Sequence, residues 1–212
     1  LKTHSILVAD DHPIVLQGVR SLLEMNPGWK VVAQARDGRE AVQMARELKP
    51  DLVVLDIGMP LLNGLEAARQ IANDLPATRL LILSMYDSED LLEKAMDSGA
   101  HGFIRKSEAE SELVIAARAV LNAKLFFPSH ASGALHRRRS RQGRDMRNHL
   151  TSRESELMQL IVEGKSNKEA ASILGVSRRT IENHRANLMR KLGLHSLSEL
   201  VRYAVRNRIV TA

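Results

Sequence analysis

Five polar side chains stand where apolar runs stop. Asp10 and Asp11 follow "ILVA", Asp56 follows "LVVL", Ser84 follows "LLIL", and Lys106 lies just beyond "GFI". On one rim, three carboxylates, a hydroxyl and an ammonium form a chemically legible set. The carboxylates repel unless a cation joins them, and hard oxygen donors favour Mg²⁺. A carboxylate beside Mg²⁺ can attack phosphorus and become an aspartyl phosphate. Phosphoryl transfer needs positioning and charge neutralisation above all. Mg²⁺ and Lys106 neutralise, and the Ser84 hydroxyl donates to a phosphoryl oxygen. Each residue alone has a plainer reading: a strand-end Asp as a solvated cap, a Ser as a turn residue, a Lys as a solvated charge. Their joint placement at the ends of four different strand candidates favours a pocket.

The elements that must position this set repeat along the first half of the chain. Strand candidates are Ser5–Ala9, Lys30–Gln34, Leu52–Leu55, Arg79–Ser84 and Gly102–Ile104. Helical patterns lie between and after them, at Ile14–Met25, Gly38–Leu48, Gly64–Asn73, Asp87–Ser98 and Ser111–Ala123. Five strand–helix units in a row predict a parallel sheet with helices on both faces and right-handed crossovers. Ligands of such sheets bind outside the carboxyl ends of the strands, where the five polar residues fall.

Charge divides the chain. Residues 1–125 carry 14 Lys+Arg against 18 Asp+Glu, residues 126–148 carry 6 against 1, and residues 149–212 carry 11 against 6. An acidic front and a basic back predict two domains with different partners, the rear one nucleic acid. The stretch between them, "PSHASGALHRRRSRQGRDMRN", is rich in Ser, Gly and Arg and reads as a linker. Its arginines, Arg137 to Arg147, read as a solvated charge run, an aid to nonspecific DNA affinity, or a dock for the acidic front. Cysteine is absent, which excludes disulfides, thiolate catalysis and zinc fingers. No apolar run nears membrane-spanning length and no leader pattern opens the chain, so a cytoplasmic protein without membrane partners is expected.

Residues 149–212 show no strand pattern. Helices are expected at about 152–163, 167–174, 178–192 and 196–207. Thr151 with Glu154 spells a capping box for the first, and Ser177 can cap the third. "SNKEAASILGVSRRTIENHRANLMRKL" sets two helices around a glycine-containing turn, the helix-turn-helix pattern. Projected at helical pitch, Ile181, Leu188 and Leu192 share one face, with Arg185 nearby. Arg179, Asn183, Ala186, Asn187 and Arg190 lie opposite, with Glu182 on the flank. The apolar face packs inward and the polar face suits a major groove. A small bundle with a solvated basic helix is the plainer alternative.

The strings "LVADDH", "LVVLDIGMP", "NGLEAARQI", "LILSMYD" and "AMDSGAHGFIRKS" closely resemble the receiver domain of two-component response regulators, over about residues 1–123. The resemblance implies strand order 2-1-3-4-5 and Asp56 as phospho-acceptor. It also implies Mg²⁺ held by Asp11, Asp56 and the Gly58 carbonyl with Asp10 assisting, Ser84 and Lys106 on the phosphoryl group, and Phe103 as a switch aromatic, for which a plain core residue is the alternative. Two positions depart from the common pattern. Ser107 replaces a proline whose peptide is cis, and Met85 stands where a small residue is usual and would narrow access to the phosphoryl group.

"LTSRESELMQLIVEGKSNKEAASILGVSRRTIENHRANLMRKLGLHS" closely resembles the four-helix LuxR-type DNA-binding domain, over about 149–210. Joined to a receiver, it implies the NarL/FixJ class of transcriptional response regulators. In that reading Lys168 and Arg178 or Arg179 approach phosphates, and Glu182, Asn183 and Ala186 face bases. Thr180 and Arg190 complete the contact set. Glu182 stands where many members carry lysine, which affects the target sequence. His184 projects near the inward edge and reads as packing. The last helix, with Leu200, Val201, Ala204 and Val205, either dimerises or packs on its own bundle.

The expected architecture is therefore an α/β five-stranded, doubly wound receiver (1–125), a basic linker (126–148) and an all-α four-helix helix-turn-helix domain (149–212). The expected function is DNA-binding transcription control by phosphorylation of Asp56. A sensor histidine kinase donates, Mg²⁺ is the cofactor, double-stranded DNA is the target, and a homodimer forms on activation. No enzyme activity is expected beyond self-phosphorylation and dephosphorylation. Two alternatives are a constitutive DNA-binding protein with a scaffold receiver and a haloacid-dehalogenase-like phosphatase. The latter needs a second Asp two residues after its nucleophile, where this chain has Gly58.

Overall fold

The computed structural model describes residues 3–131, 150–207 and 209–210; the arginine run from Arg137 to Arg147 lies outside them. Five strands form one parallel sheet: β1 (His4–Ala9), β2 (Trp29–Ala35), β3 (Leu52–Asp56), β4 (Arg79–Ser84) and β5 (Gly102–Arg105), in order β2-β1-β3-β4-β5. Five helices alternate with them: α1 (Pro13–Glu24), α2 (Gly38–Leu48), α3 (Gly64–Asp74), α4 (Glu89–Asp97) and α5 (Ala109–Leu121).

Side chains alternate across a strand, and both faces here are covered. Leu7, Val53, Leu55, Leu80 and Ile82 pack under α2, α3 and α4. Ile6, Val8, Leu52, Val54, Leu81 and Leu83 pack under α1 and α5. Every residue of β3 is consequently buried, which explains why its sequence shows no polar alternation. Asp37 caps α2 by accepting from the N–H groups of Arg39 and Glu40, and Asn63 caps α3 by accepting from that of Glu66.

The elements differ from expectation at a few edges. α1 starts on Pro13, which suits the first helical position because its missing N–H has no partner to lose there. Ser88 stands at the N-cap of α4, so that helix starts at Glu89 rather than Asp87. A 3₁₀ turn over Lys106–Glu108 leads into α5. No peptide bond among the described residues is cis, so the Lys106–Ser107 bond is trans. Phe126, expected to begin the linker, lies against the edge strand β5: its carbonyl accepts from the Phe103 N–H at 2.8 Å, and its own N–H donates to the His101 carbonyl at 3.0 Å. Ala131 is also buried, in the α2–α4 face of the core.

The rear domain has four helices, α6 (Ser152–Val162), α7 (Asn167–Leu174), α8 (Arg178–Leu192) and α9 (Leu197–Arg206). The expected Thr151–Glu154 capping box is present, Ser166 and Glu169 form a second, and Ser177 caps α8. Gly175 and Gly193, at φ 65° and 64°, end α7 and α8 in the left-handed conformation that glycine adopts freely. Leu157, Ile161, Ala170, Leu174, Ile181, Leu188 and Leu200 form the core.

Candidate phosphorylation pocket and nucleic-acid interface

The carboxyl ends of β1, β3, β4 and β5 bring the expected residues together. Lys106 Nζ stands 2.7 Å from Asp10 Oδ2 and 3.0 Å from Asp56 Oδ1. Asp10 is 0% and Asp56 4% exposed, Ser84 is buried, and Asp11 is half-buried. Asp56 is held from behind by its backbone. Gly64 opens α3 so close to β3 that a Cβ there would sit 1.8 Å from the Asp56 carbonyl oxygen. The Gly64 N–H bonds the Ile57 carbonyl at 3.0 Å.

Burial pushes the Asp56 carboxyl above the usual carboxylate range; the Lys106 charge opposes this, Asp10 reinforces it, and the Gly58 N–H bond opposes it. Burial also works against the Lys106 ammonium, but its bond to Asp10 and the charge of Asp56 outweigh that and raise its pKa. The Asp56 shift fixes a sign. The native protein binds that proton more readily than the unfolded chain, so stability falls as pH rises from 3.8 through the raised native value. Thermal melts of metal-free protein from pH 4 to 7 are expected to show this fall for the wild type and a flatter profile for Asp56→Asn.

His12 was not among the expected site residues. Its Nδ1 stands 2.7 Å from Asp11 Oδ1 and 3.2 Å from Asp10 Oδ1, and the three side chains offer ligand atoms within 4.8 Å of one another. "DDH" spells this cluster out in the sequence. The donor set, mainly carboxylate oxygen with open approach at Asp11, fits Mg²⁺.

Met85 is 67% exposed. The backbone N–H of Tyr86 donates to Ser84 Oγ at 3.1 Å. Phe103 is fully buried, turned into the α2–α4 face of the core.

On α8 the projection holds. Ile181 and Leu188 are buried, whereas Arg178, Arg179, Glu182, Asn183, Ala186, Asn187 and Arg190 are exposed. Lys168 on α7 is exposed, and Thr180 is half-buried with its hydroxyl 2.8 Å from that of Ser177. Arg178 donates to Glu182 at 3.0 Å, which neutralises the acid that departs from the lysine pattern. His184 and Leu192 are half-buried. On α9, Leu200 and Ala204 pack into the bundle while Val205 stays exposed.

The comparisons agree with this two-part architecture. Residues 6–118 match the response regulator receiver domain, and residues 148–204 match the bacterial regulatory proteins of the luxR family. The chain is a response regulator with a LuxR-type DNA-binding domain. This response regulator is 37% identical over 206 residues to the transcriptional regulatory protein MctR of Rhizobium johnstonii, covering 97% of the chain and 95% of that protein. It is 37% identical over 213 residues to the oxygen regulatory protein NreC of Staphylococcus aureus, covering 97% and 98%. A LuxR-family two-component response regulator from Aurantimonas sp. SI85-9A1 superposes with TM-score 0.59 at 38% identity, over 66% of this chain and 99% of that one. RcsB of Salmonella enterica serovar Typhimurium, bound to promoter rprA with phosphomimetic BeF3-, superposes with TM-score 0.61 at 27% identity, over 95% and 98%. No helix among the described residues is long and apolar enough to cross a membrane.

Sequence reasoning missed the side chains that join the two domains. Glu156 and Gln159 on α6 and Glu163 at its C-cap form one polar stripe, and all three reach the receiver. Glu156 accepts from Gln70 at 2.8 Å and Arg39 at 3.3 Å. Gln159 and Glu163 bond the backbone after β3. The spacing of three and four residues was the available signal, because it puts the three on one helix face.

Proposed function

We propose that this chain is a cytoplasmic transcriptional regulator switched by phosphorylation of Asp56. The observation that carries the reading is the buried Asp10–Lys106–Asp56 triad at the carboxyl edge of the sheet. A sensor histidine kinase supplies the phosphoryl group. An Asp56 oxygen forms the new bond to phosphorus as the phosphorus–nitrogen bond of the donor's phosphohistidine breaks. Asp10, Asp11, Asp56 and the Gly58 carbonyl are the residues that would hold Mg²⁺, which supplies charge neutralisation at the phosphoryl oxygens. Lys106 exchanges part of its pairing with Asp56 for a phosphoryl oxygen, and Ser84 donates its hydroxyl proton to another. Phe103 follows Ser84 as the switch aromatic. No other enzyme activity is assigned, and Gly58 leaves no general acid for turnover on phosphate esters. The receiver comprises residues 1–125, with 126–131 packed on it. The basic linker runs on to 148, and the DNA-binding domain is 149–212. Acyl-phosphate donor with Mg²⁺ should label the wild type and leave Asp56→Ala unlabelled; label persisting on the variant would refute the site.

Promoter DNA is the second partner, bound by a homodimer that forms on phosphorylation. Lys168, Arg178, Arg179 and Arg190 serve phosphates, with Thr180 at the helix start. Glu182, Asn183 and Ala186 face base edges. The two classes behave differently. Arg179→Ala should weaken binding to all sequences alike and reduce the salt slope by about 1. Asn183→Ala should cost about 1–3 kcal/mol on the preferred site and relax the choice at one base pair. Titrations at several salt concentrations on preferred and scrambled duplexes separate the two.

A further inference from the structure

α8 opens differently from the other helices of its domain. The first turns of α6, α7 and α9 carry Glu154, Glu169 and Glu199, acids that suit the positive end of a helix, whereas the first turn of α8 carries none. Arg178 and Arg179 stand there instead. The one acid of α8, Glu182, comes a turn later and is tied back to Arg178. The Arg178 Nε donates to Glu182 Oε1 at 3.0 Å, and the two side chains are 72% and 48% exposed. An exposed pair of this kind adds little to stability, so either partner can be replaced without loss of the fold.

Among the described residues nothing else bonds the Glu182 carboxylate, so Oε2 stays open. An ionised carboxylate only accepts. In the major groove guanine offers two acceptors, and thymine an acceptor and a methyl group, so both reject it. Adenine sets its amino group beside the acceptor N7, which opposes a carboxylate. Cytosine offers its N4 amino group with no acceptor on its own edge. Glu182 therefore suits cytosine. An unpaired acid in this place would also be repelled by the phosphates. Arg178 offsets that charge, fixes Oε1 and leaves Oε2 free, and its Nη groups remain for a phosphate.

We propose that Glu182 selects cytosine at one position of the DNA site and that Arg178 is the positioning residue for its carboxylate. The inference rests on the proposed DNA binding by α8 and adds the base that Glu182 selects. Lysine at the same position, a donor, would select guanine instead. The identity of one side chain thus sets the base, and the bond to Arg178 sets how sharply it is chosen.

The test starts from duplexes selected out of random sequence by the full chain with Mg²⁺ and beryllofluoride. Wild type, Glu182→Lys, Arg178→Ala and Arg178→Lys are then titrated on the selected site and on its single-base-pair variants. At one position wild type should prefer cytosine by about five-fold or more, the lower range for a mismatched pair. Glu182→Lys should turn that preference to guanine on the same strand and leave the other positions unchanged. Arg178→Ala should remove most of the cytosine preference. Arg178→Lys, which keeps the charge without the guanidinium fork, should restore part of it. A residue that only contacts phosphate would lower affinity on every sequence and leave the base preference intact; that result for Arg178→Ala would overturn the positioning role. Glu182→Lys with the same preference as wild type at every position would overturn the selection of cytosine. Wild type that enriches no sequence would instead overturn the DNA-binding reading itself, and this inference with it.

Discussion

Gly64→Ala is expected to destabilise the receiver by about 3 kcal/mol or more, a large part of the stability of a domain of this size. The added Cβ would lie 1.8 Å from the Asp56 carbonyl oxygen, 2.7 Å from its carbon and 3.1 Å from Ile57 Cα. All three obstacles are backbone, so no side chain can turn aside. Either α3 withdraws from β3, stretching the Gly64-to-Ile57 hydrogen bond, or the end of β3 moves and carries Asp56 with it. Both routes damage the site together with the fold. Gly18→Ala supplies the contrast. Gly18 is an exposed residue within α1 with nothing within 4 Å of a new Cβ, so the same substitution should stabilise by roughly 0.5–1 kcal/mol through helix propensity. Urea unfolding of the two variants is expected to move in opposite directions from wild type. A Gly64→Ala midpoint equal to wild type would mean that α3 does not approach β3 this closely.

Lys106→Met is expected to cost about 3–5 kcal/mol at neutral pH, the range found when one partner of a buried ion pair is removed. Its ammonium is the shared counter-charge of Asp10 and Asp56, both nearly excluded from water. Methionine keeps the length and apolar stem but leaves two carboxylates facing each other. The loss should shrink at low pH, where a proton on Asp56 takes over the neutralising role, in keeping with the direction of its pKa shift. Added Mg²⁺ should raise the melting temperature of the variant by more than that of wild type, because the ion relieves a larger repulsion. Phosphoryl capture should be lost even where Mg²⁺ restores the fold. Calorimetry with and without Mg²⁺ at two pH values checks the stability changes, and acetyl phosphate labelling checks the loss of phosphoryl capture.

Much of this was legible because the physics that sets the fold also sets the site. Leu52–Leu55 is apolar without alternation since helices cover both sheet faces, and Asp56 ends that run at the edge where parallel sheets bind ligands. Asp10, Ser84 and Lys106 follow from the same rule. The recognition helix was legible because Ile181 and Leu188 recur at helical spacing while polar residues occupy the other side. What escaped notice had no such pattern, or had one that reads as ordinary solvated surface. Leu61, at φ 64°, carries no sign of a left-handed conformation, which local sequence assigns to glycine or asparagine; the partner domain imposes it. Glu156, Gln159 and Glu163 look like any solvated face of an amphipathic helix until a second domain is placed against them. The attachment of Phe126 depended on the open edge of β5. Contacts across long sequence separations decided each of these cases.

In the proposed function, one chain couples phosphorylation at Asp56 to sequence-specific DNA binding. Selection of duplexes from random sequence by the full chain, with Mg²⁺ and with or without beryllofluoride as phosphoryl mimic, tests it most directly. The expected result is enrichment of two related half-sites, with affinity raised at least about ten-fold by the mimic and unchanged by it in Asp56→Ala, a ratio corresponding to roughly 1.4 kcal/mol of coupling. No sequence enrichment, or the same affinity with and without the mimic, would contradict the account.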